Sequence, residues 1–212
     1  MSGMTKKKAA QILNALEAYY GDVVSGLNYG NLYEITIAVV LSAQTTDKQV
    51  NAVTPALFAK YPNFAALAEA NLSDVERIIK STGFFHTKAR NIIALSKSVI
   101  DDFGGKLPET LEELIKLPGV GRKSANVIIS MGYDAPGLAV DTHVKRIANR
   151  LGFISTEDPA KTEAAMTAVI PPADWKKTHL LYINHGRQIC AARNPKCGEC
   201  PIRRLCVWES KA

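Results

Sequence analysis

LPGVGRKSA, residues 117–125, joins two segments of helical periodicity and is the short stretch that says most about the fold. Gly119 and Gly121 permit positive φ and let the backbone approach a neighbouring molecule closely. The second helix then begins with unpaired N–H groups, an arrangement that favours an anion. Arg122 and Lys123 lie in its first turn, where cations oppose the helix dipole, which favours an anionic partner or a chemical task. A plain tight turn between packed helices is the alternative interpretation.

Helical patterns follow one another on both sides of this hairpin, and strand patterns are nearly absent. Pro118 ends the helix before the hairpin, since its ring and missing N–H cannot continue the hydrogen-bond ladder. Ser73 with Glu76, and Thr110 with Glu113, match the capping box that opens a helix. The sequence therefore predicts an all-α fold, with helices over residues 8–20, 34–42, 48–61, 74–82, 87–103, 111–117, 122–131, 142–151, 159–169 and 175–190.

Charge is distributed unevenly along the 212 residues. Residues 1–24 carry a net charge of +1, residues 25–135 are neutral with 11 basic and 11 acidic side chains, and residues 136–212 carry +5. An excess at the C-terminal end favours a polyanion as partner, although a solubilising surface is the alternative. The longest apolar stretch, residues 35–41, is too short to span a membrane, and the N-terminus lacks an apolar signal region. We therefore expect a cytoplasmic protein.

Asp141 precedes the periodic segment 142–151, and an aspartate in that position is a good helix N-cap. It lies 18 residues from Lys123 in the sequence, so that only the fold could bring the two together. The neighbouring His143 is interpreted as a structural hydrogen-bonding residue rather than a metal ligand.

All four cysteines lie near the C-terminus, in the pattern C-x6-C-x2-C-x5-C. A disulfide framework would spread its cysteines through a small secreted chain, so one compact metal site is the better interpretation. The spacing alone leaves a zinc site and an iron–sulfur cluster open. The cysteines are Cys190, Cys197, Cys200 and Cys206.

The hairpin resembles the helix-hairpin-helix motif of the endonuclease III superfamily of DNA glycosylases, and similar motifs occur in the same order over residues 5–208. The resemblance implies that the hairpin binds phosphates of duplex DNA through its backbone, without reading bases. It also implies that Lys123 is the nucleophile and Asp141 the second catalytic residue. The cysteine pattern is similar to the 4Fe–4S signature of this superfamily, which implies a structural cluster. The hairpin residues implied to contact DNA are Gly119, Val120, Gly121 and Arg122.

Two further segments resemble loops that open the duplex in this superfamily. LSAQTTD, residues 41–47, places Gln44 where a glutamine enters the gap left by the extruded nucleotide. TGFFHTKA, residues 82–89, places Phe84 where an apolar residue stacks into the opposite strand, although many relatives have an aliphatic residue there. For both residues, an ordinary helix-connecting loop or core position is the alternative.

Cations around the cysteines are expected to contact the DNA backbone and release counterions. Arg193 and Lys196 lie between the first two cysteines, Arg187 lies just before them, and Arg203 and Arg204 lie before the last.

The resemblance implies two helical lobes with a DNA-binding cleft between them. A six-helix barrel would span residues 25–135 and contain the helix-hairpin-helix at about 111–130, and an iron–sulfur lobe would combine residues 1–24 with 136–212. The implied function is a bifunctional DNA N-glycosylase and AP lyase of base-excision repair that removes oxidised pyrimidines or acts at abasic sites in double-stranded DNA. We expect a monomer in the bacterial cytoplasm, associated with the nucleoid.

Two alternatives remain. A catalytically silent DNA-binding iron–sulfur protein could keep the hairpin and the cluster as architecture. The adenine-mismatch glycosylase of the same superfamily lacks the lysine, has a glutamate five positions before the glutamine and carries an extra C-terminal domain. Here Lys123 is present and position 39 is Val39, which disfavours that alternative.

Overall fold

The computed structural model describes residues 4–208, and within that range it is helical with no strand. The predicted all-α fold is therefore confirmed. Within the same range, no helix is long and apolar enough to cross a membrane. In chain order the α-helices are α1 (Lys6–Tyr20), α2 (Leu32–Leu41), α3 (Asp47–Lys60), α4 (Phe64–Ala68), α5 (Leu72–Ile79), α6 (Phe85–Asp101), α7 (Leu111–Leu114), α8 (Arg122–Val127), α9 (Thr142–Leu151), α10 (Pro159–Thr167) and α11 (Trp175–Gln188).

The chain divides into two compact units. The central unit is Ser25–Ala135 and holds α2 to α8. The terminal unit combines the chain up to Val24 with the chain from Pro136 onward, and holds α1 and α9 to α11. The central unit carries no net charge, so the whole excess of +6 lies in the terminal unit.

Helix α2 forms the centre of the core of the central unit. Eight of its ten residues are buried, as the continuous apolar run predicts. A π-helical turn, Ile128–Gly132, continues α8 and packs against α2. A Cβ on Gly132 would stand 2.6 Å from Cδ1 of Leu32 and 3.3 Å from Cγ2 of Ile35, so a larger residue would require these side chains to shift.

The core of the terminal unit forms where α1, α9, α10 and α11 meet. Ile12 and Leu16 of α1 are fully buried there, with Val144 of α9 and Met166 of α10. The cysteines Cys190, Cys200 and Cys206 pack against the edge of this cluster. At the surface, Lys177 of α11 pairs with Glu17 of α1, with Nζ 3.0 Å from Oε2.

Two helix starts show where local patterns succeed and fail. The capping box at Thr110 is confirmed, because the Thr110 hydroxyl accepts from the N–H of Glu113. The capping box predicted at Ser73 is wrong: the Asn71 side chain caps α5 and accepts from the N–H of Asp74. Ser73 lies inside the first turn of α5 and donates to Asn71 Oδ1. Asparagine is as strong an N-cap as serine, so the next polar residue upstream takes the position. Helix α4 was not predicted.

Candidate functional site

The hairpin joins α7 to α8 with a bend at Gly119. This glycine has φ of +79°, and a Cβ on it would stand 3.0 Å from Cβ of Asn91 on α6. Gly121 does not use the positive φ that glycine permits: with φ of −91° and ψ of 172° it is the extended N-cap of α8. A Cβ there would meet nothing within 4 Å, so the backbone at Gly121 faces open space. Val120 is 5% exposed and anchors the bend in the core.

The α8 N-terminus displays its first residues to solvent. Gly121 supplies no side-chain cap, so the first amides of α8 keep their capacity to bind an anion. Arg122 and Lys123 are both exposed in the first turn. An exposed amine on a helix start is sterically accessible to a large substrate, as the predicted nucleophile must be.

Asp141 is the N-cap of α9, as predicted. Its Oδ1 accepts from the N–H of Val144 at 2.8 Å, which uses one of two carboxylate oxygens. Behind it, buried His179 donates through Nδ1 to the carbonyl of Ala139 at 2.8 Å and fixes the chain two residues earlier. Asp141 is half-buried and lies in the terminal unit, whereas Lys123 lies in the central unit. His143 makes the structural contact expected of it, because its Nδ1 lies 3.1 Å from Arg146 Nη2.

The four cysteines come together around one cavity of about 200 Å³. No disulfide joins them. Burial raises the pKa of the Cys200 and Cys206 thiols, and the neighbouring cysteines raise the pKa of both further. Thiolates that line one cavity repel one another unless a metal centre neutralises them. A sulfur-lined cavity of this size therefore suits a cluster held by four thiolates, the composition that iron–sulfur centres require.

Basic and imidazole groups surround these sulfurs. Arg150 Nη1 lies 3.2 Å from Cys190 Sγ. His185 lies between Tyr20 and Cys200, with Nδ1 2.9 Å from the Tyr20 hydroxyl and Nε2 3.6 Å from Cys200 Sγ. Burial lowers the pKa of His185 to about 4, so the ring is neutral. Both contacts are satisfied when Nδ1 accepts from the hydroxyl and Nε2 donates to sulfur. Sequence patterns gave no sign of these roles for Arg150 and His185.

Gln44 and Phe84 share an unusual backbone conformation. Gln44 has φ of +52° and Phe84 has φ of +47°, in the left-handed region that non-glycine residues rarely adopt. Both side chains are exposed, and Phe84 is 69% exposed, so neither belongs to the core. Strained backbone is held by its surroundings and is typical of functional sites.

The loops that carry Gln44 and Phe84 are joined directly. Thr45 donates from its hydroxyl to the carbonyl of Thr82 at 2.5 Å. Buried Lys88 donates from Nζ to both residues. The sequence did not predict that Lys88 is buried, because a lysine in the first turn of a helix is ordinarily solvated.

The remaining predicted DNA contacts are exposed cations of the terminal unit. Arg187 lies in the last turn of α11. Arg193 and Lys196 lie in the loop between the first two cysteines. Arg203 and Arg204 lie in a short 3-10 turn before Cys206.

Comparison with known proteins identifies the family. Residues 37–172 match the model of the HhH-GPD superfamily base excision DNA repair protein, and residues 190–206 match the iron–sulfur binding domain of endonuclease III. The second match begins at Cys190 and ends at Cys206. Endonuclease III of Synechocystis sp. is 43% identical over 202 residues, which cover 95% of this chain and 92% of that protein.

Two solved structures are similar over nearly the whole chain. One is a non-covalent endonuclease III–DNA complex, and the other is a trapped endonuclease III–DNA covalent intermediate in an estranged-adenine complex. Each is 41% identical with a TM-score of 0.90, and covers 96% of this chain and 96% of the solved one. The enzyme class expected from the sequence, a DNA glycosylase and AP lyase, is thereby confirmed at the level of the family, as is the 4Fe–4S cofactor. The chain belongs to the endonuclease III family, within the HhH-GPD superfamily of base excision DNA repair proteins.

Proposed function

We propose that this protein is a bifunctional DNA N-glycosylase and AP lyase that removes oxidised pyrimidines from double-stranded DNA, with Lys123 as nucleophile and Asp141 as the assisting carboxylate. The observation that carries the proposal is the exposed Lys123 amine at the glycine-bounded start of α8, inside the segment that matches the superfamily. The likeness to an endonuclease III trapped covalently on DNA supports a covalent route.

The chemistry follows from an amine nucleophile. Neutral Nζ of Lys123 attacks C1′ of the damaged nucleotide, the C1′–N bond breaks, and the base leaves with the bonding electron pair and takes up a proton. Loss of a proton from nitrogen and opening of the sugar ring give a Schiff base. The imine acidifies the C2′ proton, and its removal expels the 3′ phosphate by β-elimination. Water then hydrolyses the imine and regenerates the amine.

Asp141 fits the second role because the N-cap bond occupies only one of its oxygens. A carboxylate stabilises the positive charge that develops on the sugar as the base departs, and can relay protons in the later steps. Its fixed position at the start of α9 would make that stabilisation preorganised.

We propose that Cys190, Cys197, Cys200 and Cys206 hold the 4Fe–4S cluster. The group would supply a structural cross-link for the C-terminal segment, since neither base release nor β-elimination transfers an electron. The cluster would also fix the loop that carries Arg193 and Lys196.

We further propose that DNA is bound through two kinds of contact. The backbone at Gly119, Val120 and Gly121, with the Arg122 side chain, would bind phosphates on one strand, while Arg187, Arg193 and Lys196 would add cationic contacts. Gln44 and Phe84 would fill the space vacated by the extruded nucleotide, which their exposure and fixed backbone favour.

The protein is proposed to act as a monomer, associated with the nucleoid in a bacterial cytoplasm. Its curated relatives include endonuclease III of several bacteria, Synechocystis among them. Analytical ultracentrifugation of the protein with a lesion-bearing duplex should give a one-to-one complex.

Borohydride trapping tests the nucleophile. The holoenzyme is mixed with a duplex containing one oxidised pyrimidine, the imine is reduced, and the adduct is mapped by mass spectrometry. We expect the sugar on Lys123. Lys123→Gln should give neither adduct nor nick, whereas Lys116→Gln, which changes an exposed lysine shortly before the hairpin, should retain both.

A substrate panel separates the alternatives. A silent binder would release no base from any duplex, and an adenine-mismatch glycosylase would release adenine without a trapped adduct. An adduct on another lysine would overturn the assignment of Lys123.

A further inference from the structure

Lys88 is a buried cation that bridges two loops. It lies in the first turn of α6 and is only 4% exposed. Its Nζ donates to Thr45 Oγ1 at 2.5 Å and to the carbonyl of Thr82 at 2.8 Å. Thr45 Oγ1 in turn donates to the same carbonyl. Three polar atoms from three segments therefore form a closed triangle in the central unit.

Burying a charged ammonium group in this way costs folding free energy, which would not be expected of a side chain that only stabilises the fold. Burial lowers the pKa of Lys88, and the two acceptors are uncharged oxygens of a hydroxyl and a carbonyl. A cation in the first turn of a helix also opposes the helix dipole. A methionine of similar length would fill the space without the cost of desolvating a charge. The ammonium group therefore calls for a role other than packing.

The triangle lies next to both residues with left-handed backbone conformation, Gln44 and Phe84. Thr45 follows Gln44 directly, and Thr82 lies two residues before Phe84. The Lys88 hydrogen bonds thus fix the backbone next to the two positions where φ is +52° and +47°. A second contact between these segments, Gln49 Nε2 to Ser81 Oγ at 2.6 Å, lies at the surface.

We propose that Lys88 is a positioning residue for nucleotide extrusion: its ammonium group holds the Gln44 loop and the Phe84 loop in one fixed arrangement, so that both side chains enter the duplex together. The inference rests on the proposed function, because it takes Gln44 and Phe84 to be the residues that open the duplex. Loops that are already ordered lose less conformational freedom when they enter DNA.

Extrusion can be measured directly on the holoenzyme. A duplex carries an oxidised pyrimidine opposite 2-aminopurine, whose fluorescence rises when its partner leaves the stack. We expect Lys88→Met to slow this rise roughly ten- to hundredfold, because small misplacements of positioning groups have effects of that size. Lys88→Arg keeps the charge and donors and should recover much of the rate. Lys97→Met, an exposed change on the same helix, is the matched control.

A target that is already unpaired distinguishes positioning from general damage to the fold. When the lesion lies in a bulge, Lys88→Met should act within about threefold of the wild-type rate, since little stacking remains to be broken. Affinity for undamaged duplex and its salt dependence should also be unchanged. Equal losses on paired and bulged targets would mean that Lys88 only supports the fold, and would overturn the proposal.

Double variants test whether Lys88 acts through Gln44 and Phe84. In a Gln44→Ala, Phe84→Ala background, Lys88→Met should have little further effect on extrusion. If the two loop variants do not slow extrusion, the proposed roles of Gln44 and Phe84 fail. If they do, but Lys88→Met has no effect or an additive one, only the inference about Lys88 fails. If Lys88→Met does not fold, Thr45→Val replaces it in the same double-variant comparison, because it removes the hydroxyl that accepts from Lys88.

Discussion

Arg150 Nη1 lies 3.2 Å from Cys190 Sγ, and the same guanidinium group donates to the backbone carbonyls of Ala191 and Ala192. One planar group thus fixes a proposed cluster ligand together with the start of the loop that follows it. Its outer face is covered by Trp208, whose ring centre is 4.0 Å from Cζ. Groups that donate to a ligating sulfur control the stability and potential of an iron–sulfur centre.

We expect Arg150→Met to destabilise the cluster. The change leaves the two carbonyls without a partner and the Cys190 sulfur without its cation, and the free energy of unfolding should fall by about 3 kcal/mol. Loss of visible absorbance under a chelator should be several-fold faster than in wild type. Lys145→Met on the same helix removes only contacts with the side chain and carbonyl of Glu157, and should leave the rate unchanged. Equal rates for the two variants would contradict the role of Arg150.

Asp141 has two separable roles. Asparagine is as good an N-cap as aspartate, so Asp141→Asn should melt within about 1 °C of wild type. Base release should still fall by about a hundredfold or more, because the charge that stabilises the sugar is gone. Asp141→Ala should lose about 1 kcal/mol of stability as well. Single-turnover kinetics and thermal unfolding of both variants check this, and an active Asp141→Asn would remove Asp141 from the proposed mechanism.

Arg193 and Lys196 are expected to bind phosphates. Each phosphate neutralised contributes about 0.9 to the salt slope of binding, so replacing both residues with alanine should lower the slope by about 1.8. Replacing Lys97 and Lys106, two exposed lysines of the neutral central unit, removes the same charge and should change the slope far less. DNA-binding titrations at several salt concentrations measure the slope for both double variants. Equal slopes would contradict the proposal that Arg193 and Lys196 bind phosphates.

Tyr133 should make stability depend on alkaline pH. Its hydroxyl donates to the carbonyl of Leu107 at 2.6 Å, and burial, with a smaller effect from Glu109, raises its pKa to about 12. Above pH 10 the unfolded chain loses this proton while the folded chain keeps it, so stability falls between pH 10 and 12.

Tyr133→Phe serves as the control for this titration. It should be less stable than wild type below pH 10, by about 1 kcal/mol for the lost hydrogen bond, and the difference should narrow towards pH 12. Chemical unfolding at several pH values measures the stability difference between wild type and Tyr133→Phe. A difference that stays constant from pH 8 to pH 12 would contradict the raised pKa of Tyr133.

Local sequence patterns succeeded where one residue type has one local role. Helix α9 was predicted with its observed bounds, because Asp141 supplies a cap and the apolar period continues unbroken to Leu151. The patterns failed where two residues compete for one role, as Asn71 and Ser73 do at the start of α5. Gly121 is the extended N-cap of α8 and does not use the positive φ that glycine permits.

The sequence by itself determined the all-helical fold, the helix-hairpin-helix with its lysine, and the four-cysteine pattern, because each depends on residues a few positions apart. Only the tertiary structure decided which charges are buried. Lys88 meets Thr45 across 43 positions, and Arg150 meets Cys190 across 40. Burial and long-range hydrogen bonds depend on how helices pack, and no local pattern of residues records that packing.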